Sequence, residues 1–221
     1  MTKTEDHDPT TRAVAAIILA AGRSQRMGAF KPLLPFGPST VVESCIEKLR
    51  DGGAETVVVV VAQDARATAL RNHLRNANVI FAVNSDPESE MSASIAAGVR
   101  ALPGSTEAVI INPVDHAAVP AEVVEMLIAE WEQGAPLVKP TWNDRGGHPV
   151  LIDMNFGHEL LSLDPKLGLK TLFSNYQDQT RRIAVNSNYI ARDMDTWDDY
   201  RALHLDVFGV LPPKLSLVEP A

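Results

Sequence analysis

The chain has 221 residues, 45% of them hydrophobic, a formal net charge of −8 and a single cysteine. That length and composition suit one α/β domain with a sizeable core, while the acidic balance excludes a broad nucleic-acid-binding surface and leaves room for a local basic pocket. The lone Cys45 rules out an internal disulfide framework and suits a reducing compartment.

In chain order, Met1 to Arg12 is polar and acidic, lacks the basic and apolar regions of a signal peptide, and is expected to be a flexible segment. A single domain is expected over residues 13–209. The pattern predicts a strand over Val14–Leu19, a helix near Thr40–Asp51, a strand over Thr56–Ala62, a helix near Ala65–Arg75 and a strand over Asn78–Val83. Next come a helix near Ser92–Leu102, a strand over Ala108–Asn112, a helix from Pro120 to Gln133 and a short strand near Pro136–Lys139. Continuous Val/Ile runs separated by amphipathic helices imply a mostly parallel sheet in a three-layer, Rossmann-like α/β fold with helices on both faces. Thr40 with Glu43 and Thr196 with Asp199 read as capping boxes, and Cys45 is expected in a helix core.

From Gly146 to Arg192 the pattern loosens into a short strand near Val150–Ile152, two short helices, and strands near Ile183–Val185 and Tyr189–Ala191. This segment is expected to close over a site rather than to extend the main sheet. A helix from about Trp197 to Phe208 then leads into a tail over residues 210–221. No apolar run approaches the ~18 residues of a membrane helix, so the cytoplasm is the expected location, with no membrane partner.

The strongest functional signal is the thirteen-residue stretch from Leu19 to Lys31, LAAGRSQRMGAFK, at the end of the first strand. A strand that runs into a glycine-rich, cationic loop brings backbone N–H groups and positive side chains to where a phosphate chain can be held. The spacing has no Gly-Lys-Ser/Thr ending and no G-x-G-x-x-G, which disfavours a Walker ATPase and a dinucleotide-binding dehydrogenase. Singly, Gly22 and Gly28 read as turn glycines and Arg26 and Lys31 as solvated charges; order and spacing together carry the inference.

Ligands in an open parallel sheet bind beyond the carboxyl ends of the strands, which singles out Asn112-Pro113-Val114-Asp115-His116 after the fourth strand. Asp115 there is well placed to hold Mg²⁺, a cation that takes carboxylate and phosphate oxygens; the alternative is that it caps the helix that follows. Asp193-Met194-Asp195 offers a second carboxylate pair, since alternate residues of an extended segment point the same way. One of that pair serving as a helix cap is the alternative.

The loop resembles the signature LAAG-x-S/G-x-R-M-G-x-x-K of the nucleotidyltransferases with a MobA-like fold, most closely the molybdenum cofactor cytidylyltransferases. The resemblance covers roughly Val14 to Leu203, with Ala117, Met194 and Trp197 standing where the family commonly has Pro, Ile and Pro. It implies a Mg²⁺-dependent transfer of CMP from CTP to molybdopterin, with release of pyrophosphate, Arg26 and Lys31 holding the phosphates, and Asp115, Asp193 and Asp195 as metal ligands. Leu19, Ala20, Ala21 and Gly22 join Arg26 and Lys31 around the nucleotide. Ala21 points to CTP, because LAGG replaces LAAG in the guanylyl enzymes.

The stretch from Asn84 to Ser94 resembles the family's N-x₄₋₆-G-M-x-x-S loop, which assigns Asn84, Ser92 and Ser94 to the nucleotide pocket, with Glu90 in place of the usual glycine. The serines capping the next helix is the alternative there. Arg145-Gly146-Gly147-His148-Pro149-Val150-Leu151 resembles the family's G-H-P-V-L-F string, and Gly168-Leu169-Lys170 its G-A-R. Gly147, His148 and Lys170 are therefore assigned to the acceptor, although a tight turn explains Gly146-Gly147 as well. A molybdoenzyme receiving the product is the implied partner. A GTP-dependent enzyme, an enzyme acting on a sugar or alcohol phosphate, and a non-catalytic cofactor carrier stay open as alternatives.

Overall fold

The computed structural model describes residues 13–22, 26–86 and 91–213. The expectations for residues 1–12, for the tail beyond residue 213 and for Glu90 lie outside the described residues.

Three apolar runs form the centre of the sheet. β1 (Val14–Leu19) pairs in parallel with β4 (Thr56–Ala62) on one side and with β6 (Ala108–Pro113) on the other. All six residues of β1 are buried, because alternate side chains enter two separate cores. Ala16 and Ile18 join Val57, Val59 and Val61 on one face, while Ile17 and Leu19 join Val58 and Val60 on the other. A strand buried on both faces has no polar side to show, which explains the continuous Val/Ile runs.

The face that holds Ile18 is covered by α1 (Val41–Asp51), α2 (Ala65–His73), α4 (Ala121–Glu132) and α7 (Trp197–Phe208), through residues such as Leu49, Leu70, Leu127 and Tyr200. The face that holds Ile17 is covered by α3 (Met91–Arg100), α5 (Gly157–Leu161) and α6 (Leu169–Asn175), through Ile95, Leu160 and Phe173. This is the expected three-layer arrangement. Both expected capping boxes are formed, Thr40 with Glu43 opening α1 and Thr196 with Asp199 opening α7. A small hairpin of β2 (Pro35–Phe36) and β3 (Ser39–Thr40) precedes α1.

The strand order is β10-β7-β9-β6-β1-β4-β5, where β5 is Ile80–Asn84, β7 Leu137–Trp142, β9 Val150–Asp153 and β10 Thr180–Ala184. The chain leaves β1 toward β4 and β5, then crosses back to place β6 on the opposite side, so the order reverses at β1. Ligand crevices of α/β sheets open at such a reversal.

Two expectations for the later segment are corrected. It extends the main sheet: β9 lies between β6 and β7, antiparallel to both, and β10 forms the edge beyond β7. Tyr189–Ala191 belongs to a short 3₁₀ helix, Asn188–Ala191, instead of a strand. Its Ile190 carbonyl accepts a hydrogen bond from the His148 backbone N–H at 2.8 Å, outside any ladder. A brief hairpin strand, β8 (Arg145–Gly146), folds back on β7 through the left-handed pair Asn143-Asp144. The expected tail begins under restraint, since the Val210 carbonyl lies 2.8 Å from His204 Nδ1.

A candidate nucleotidyl-transfer site

The loop after β1 stays attached to the sheet for one further residue, the Ala20 N–H donating to the Val60 carbonyl at 2.9 Å. Ala20, Ala21 and Gly22 then line a small depression with Phe30, Ala62 and Asp64. Arg26, Met27 and Gly28 form a turn in which Gly28 takes a φ of +63°, a left-handed conformation that glycine adopts without steric cost. The turn is held at Met27, whose side chain is buried and whose carbonyl accepts from Trp197 Nε1 of α7 at 2.8 Å.

Lys31 opens a 3₁₀ helix (Lys31–Leu33) and is only 9% exposed. Its ammonium donates to Asp195 Oδ1 at 2.9 Å and stands 3.7 Å from Asp115 Oδ2. Arg26 takes the other oxygen of Asp195 at 2.8 Å, with its own side chain 70% exposed. An exposed pair of that kind adds little stability, so breaking it costs little. Partial burial pushes the Asp195 pKa up, but the Lys31 hydrogen bond, the Lys31 charge and the Arg26 charge together hold it below the usual carboxylate range.

Asp115 is placed by β6 and clamped by α1. The Val114 N–H donates to the Leu19 carbonyl at 3.3 Å, continuing the β1–β6 contact past the end of the strand. On the other side, Ser44 Oγ donates to the Ala117 carbonyl at 2.9 Å and the Cys45 thiol to the Val114 carbonyl at 3.4 Å. Cys45 is buried in α1 as expected, and burial followed by the charge of Asp115 raises its pKa strongly, so it remains a thiol. The cap alternatives fall away: Pro120 precedes α4 without a side-chain cap bond, and Thr196 caps α7.

Asp193 behaves differently from Asp195. Met194 between them is fully buried, and Asp193 is exposed without an ion pair among the described residues. The sequence pattern slightly favours Asp193 as the metal ligand, because Asp195 stands nearer the helix cap, whereas the fold brings Asp195 and not Asp193 to Lys31 and Asp115. No cluster of three or more metal-ligating side chains occurs among the described residues. Two carboxylates that already share one ammonium fit a Mg²⁺ ion, which keeps several waters and takes one or two protein carboxylates plus substrate phosphates.

Asn84, at the end of β5, donates from its amide to Ser94 Oγ at 2.9 Å and accepts at Oδ1 from the Asp86 N–H at 3.1 Å. Ser92 and Ser94 lie inside α3, so neither is its cap. Asn84 and Ser92 line a cavity of about 350 Å³ beside Arg100 and Leu161. Ser94 is buried and committed to Asn84, which makes it a support for that side chain.

The three residues assigned to the acceptor meet in one place: Gly147, His148 and Lys170 all line a cavity of about 460 Å³. Gly147 approaches the Ile190 carbonyl so closely that a Cβ would collide with it. The His148 ring packs against His116, the residue after Asp115, with centroids 5.2 Å apart, and both Nδ1 atoms are buried without a hydrogen-bond partner among the described residues. Burial, then the neighbouring His116, lowers the His148 pKa to about 4 against a hydrogen bond to Ile111, so the imidazole is neutral at pH 7. Lys139 and Arg182 line the same cavity. Sequence reading missed both, although a lysine inside the apolar run LVKPTW was the available signal.

A glycine-containing, cationic loop at the reversal point of a mostly parallel sheet, facing two carboxylates on one ammonium, fits a nucleotidyltransferase. The chain belongs to the MobA-like NTP transferase domain family, which matches residues 16–181. It is 30% identical to the nicotine blue oxidoreductase of Paenarthrobacter nicotinovorans over 66% of this chain and 74% of that one. It is 27% identical to the molybdenum cofactor cytidylyltransferase of Escherichia coli over 63% of this chain and 70% of that one. Among solved structures, Rv0371c from Mycobacterium tuberculosis superposes with a TM-score of 0.77 at 25% identity, covering 88% of this chain and 98% of that one. The same mycobacterial protein has been solved in complex with manganese, and that structure superposes at 22% identity with a TM-score of 0.73, covering 88% and 98%. No helix among the described residues is long and apolar enough to cross a membrane.

Proposed function

We propose that this enzyme transfers CMP from CTP to a phosphate monoester, with molybdopterin as the acceptor, and releases pyrophosphate. The observation that carries the reading is the contact of Lys31 with both Asp195 and Asp115 at the reversal point of the sheet. The likeness to the Escherichia coli cytidylyltransferase and the Ala21 of the loop support CTP and molybdopterin. A molybdoenzyme that takes up the product is the proposed partner, and the cytoplasm the proposed compartment.

Asp115 and Asp195 are the proposed holders of Mg²⁺, which when bound supplies charge neutralisation along the triphosphate. Asp193 has no such role, being exposed and outside the cluster. Asn84 and Ser92 receive the cytidine, and Arg26 leaves Asp195 to grip the outer phosphates while Lys31 holds the charge that develops on the leaving pyrophosphate. The acceptor oxygen attacks the α-phosphorus in line as the bond to pyrophosphate breaks. A phosphate monoester with a second pKa of about 6 is largely dianionic at pH 7, so no side-chain base is required. Catalysis rests on positioning and charge.

The test is incubation with Mg²⁺, molybdenum-loaded molybdopterin and either CTP or GTP, following pyrophosphate and product mass. A cytidylylated product supports the proposal. Turnover with GTP alone overturns the donor, and no turnover despite CTP binding favours the carrier reading. The 30% identity to nicotine blue oxidoreductase favours a second reading, a redox reaction, which a change in the absorbance of nicotine blue on incubation with the purified protein and a reductant, in the absence of CTP, would support.

A further inference from the structure

Lys139 of β7 and Arg182 of β10 are register partners across a parallel ladder, and both line the acceptor-side cavity with Lys170 of α6. Like charges directly opposite on paired strands repel. No carboxylate relieves them: none of the cavity-lining residues is acidic, and none of the three cations forms an ion pair among the described residues. Arg181, one residue earlier and on the opposite face, is paired with Glu130 at 3.1 Å. The chain therefore supplies a carboxylate to the neighbouring arginine and withholds one here, in a protein of net charge −8.

Lys139 is half-buried, with its ammonium 5.1 Å from the centroid of the Phe173 ring. Burial, then the charge of Arg182, pushes its pKa down, so the two cations destabilise each other until an anion arrives. Leu169 and Phe173 add an apolar wall to the same cavity. His148 also lines it and packs on His116, which puts the cavity one ring pair away from Asp115.

We propose that Lys139, Lys170 and Arg182 form an oxyanion subsite that binds a phosphate-class group of the acceptor, with Leu169 and Phe173 holding the apolar body that carries it. The assignment of the ligand to the acceptor rests on the proposed function. Neutralisation of three facing cations by one dianion accounts for their retention, and the apolar wall restricts the ligand to an acceptor that is more than a bare phosphate.

The test uses the full chain and inorganic phosphate as probe, in Mg²⁺-free buffer without nucleotide, reading the thermal midpoint and ³¹P line broadening. Wild type and Arg181→Ala, a change on the opposite face of β10, should bind phosphate alike. Lys139→Gln and Arg182→Gln should bind it at least ten-fold more weakly, and Arg182→Lys should retain most of the response. Without phosphate the glutamine variants should melt cooperatively and no earlier than wild type, because removing one of two facing like charges relieves repulsion. An unchanged phosphate response in both glutamine variants, or an equal loss in Arg181→Ala, overturns the subsite. No nucleotide is present, so failure of CMP transfer and failure of this subsite are read in separate experiments.

Discussion

Lys31 and Asp195 are 164 residues apart in the chain and 2.9 Å apart in the fold. Their contact joins the loop after β1 to the segment before α7, and it gathers Arg26 and Asp115 on either side. Replacing Lys31 with methionine leaves two carboxylates facing each other without the ammonium. Turnover is expected to fall roughly 10²–10³-fold, in the range for loss of one transition-state charge partner, with the Asp195 pKa rising. Single-turnover pyrophosphate release and NMR titration of the carboxyl check the two parts.

Metal removal should separate activity from folding. The Lys31 ammonium itself bridges Asp195 and Asp115, so chelation is expected to abolish turnover while leaving the thermal midpoint within about a degree. A large fall in the midpoint on adding EDTA would falsify the view that the ion comes with the nucleotide.

Ser44 has no contact with substrate in the proposed reaction, yet its hydroxyl holds the Ala117 carbonyl two residues beyond Asp115. Ser44→Ala strands that carbonyl and should cost about 1 kcal/mol, a fall of about 3 °C in the melting midpoint for a chain of this size. Turnover should drop several-fold with CTP affinity little changed. Differential scanning calorimetry beside steady-state kinetics measures both.

The pH dependence of stability has a defined sign at His148. Its folded pKa of about 4 lies below the ordinary histidine value of 6.5, so between those values the unfolded chain binds the extra proton. Stability therefore rises with pH through that window and is lost on acidification from pH 7 to pH 4, by up to about 3 kcal/mol. His148→Gln should flatten this part of the urea-denaturation profile. A profile with the same slope in the variant would assign the dependence to other groups.

Trp197 stands where the family pattern commonly has proline, and its indole donates to the Met27 carbonyl at 2.8 Å. Trp197→Phe keeps the ring and removes the donor, loosening the turn that presents Arg26. KM for the nucleotide should rise several-fold with kcat nearly constant, since binding geometry is weakened more than charge stabilisation.

The central strands were legible because burial on both faces leaves no choice but an apolar run: Val14–Leu19 and Thr56–Ala62 were read to the residue. The caps at Thr40 and Thr196 were legible for a local reason, since each box closes within four residues. Direction was not. Val150–Ile152 is three apolar residues whose pairing is set by strands brought beside it from elsewhere in the chain, and nothing within it says antiparallel or central. Tyr189–Ala191 looks β-like by composition, but the Ile190 carbonyl is used by His148. In the site, Asp115 was singled out by its position after a strand and Lys31 by the order and spacing of the loop, and the fold brings the two side chains together. The unequal fates of Asp193 and Asp195 depend on burial of Met194, a contact no spacing reveals.

The placement of β9 has a mechanical consequence. It is hydrogen-bonded along one edge to β6, which carries Asp115, and along the other to β7, which carries Lys139. The proposed donor and acceptor sites are thus mounted on one continuous plate, and swinging one against the other would tear a ladder in the middle of the core. On that proposal a change of acceptor is a matter of re-lining a cavity rather than of re-jointing the molecule.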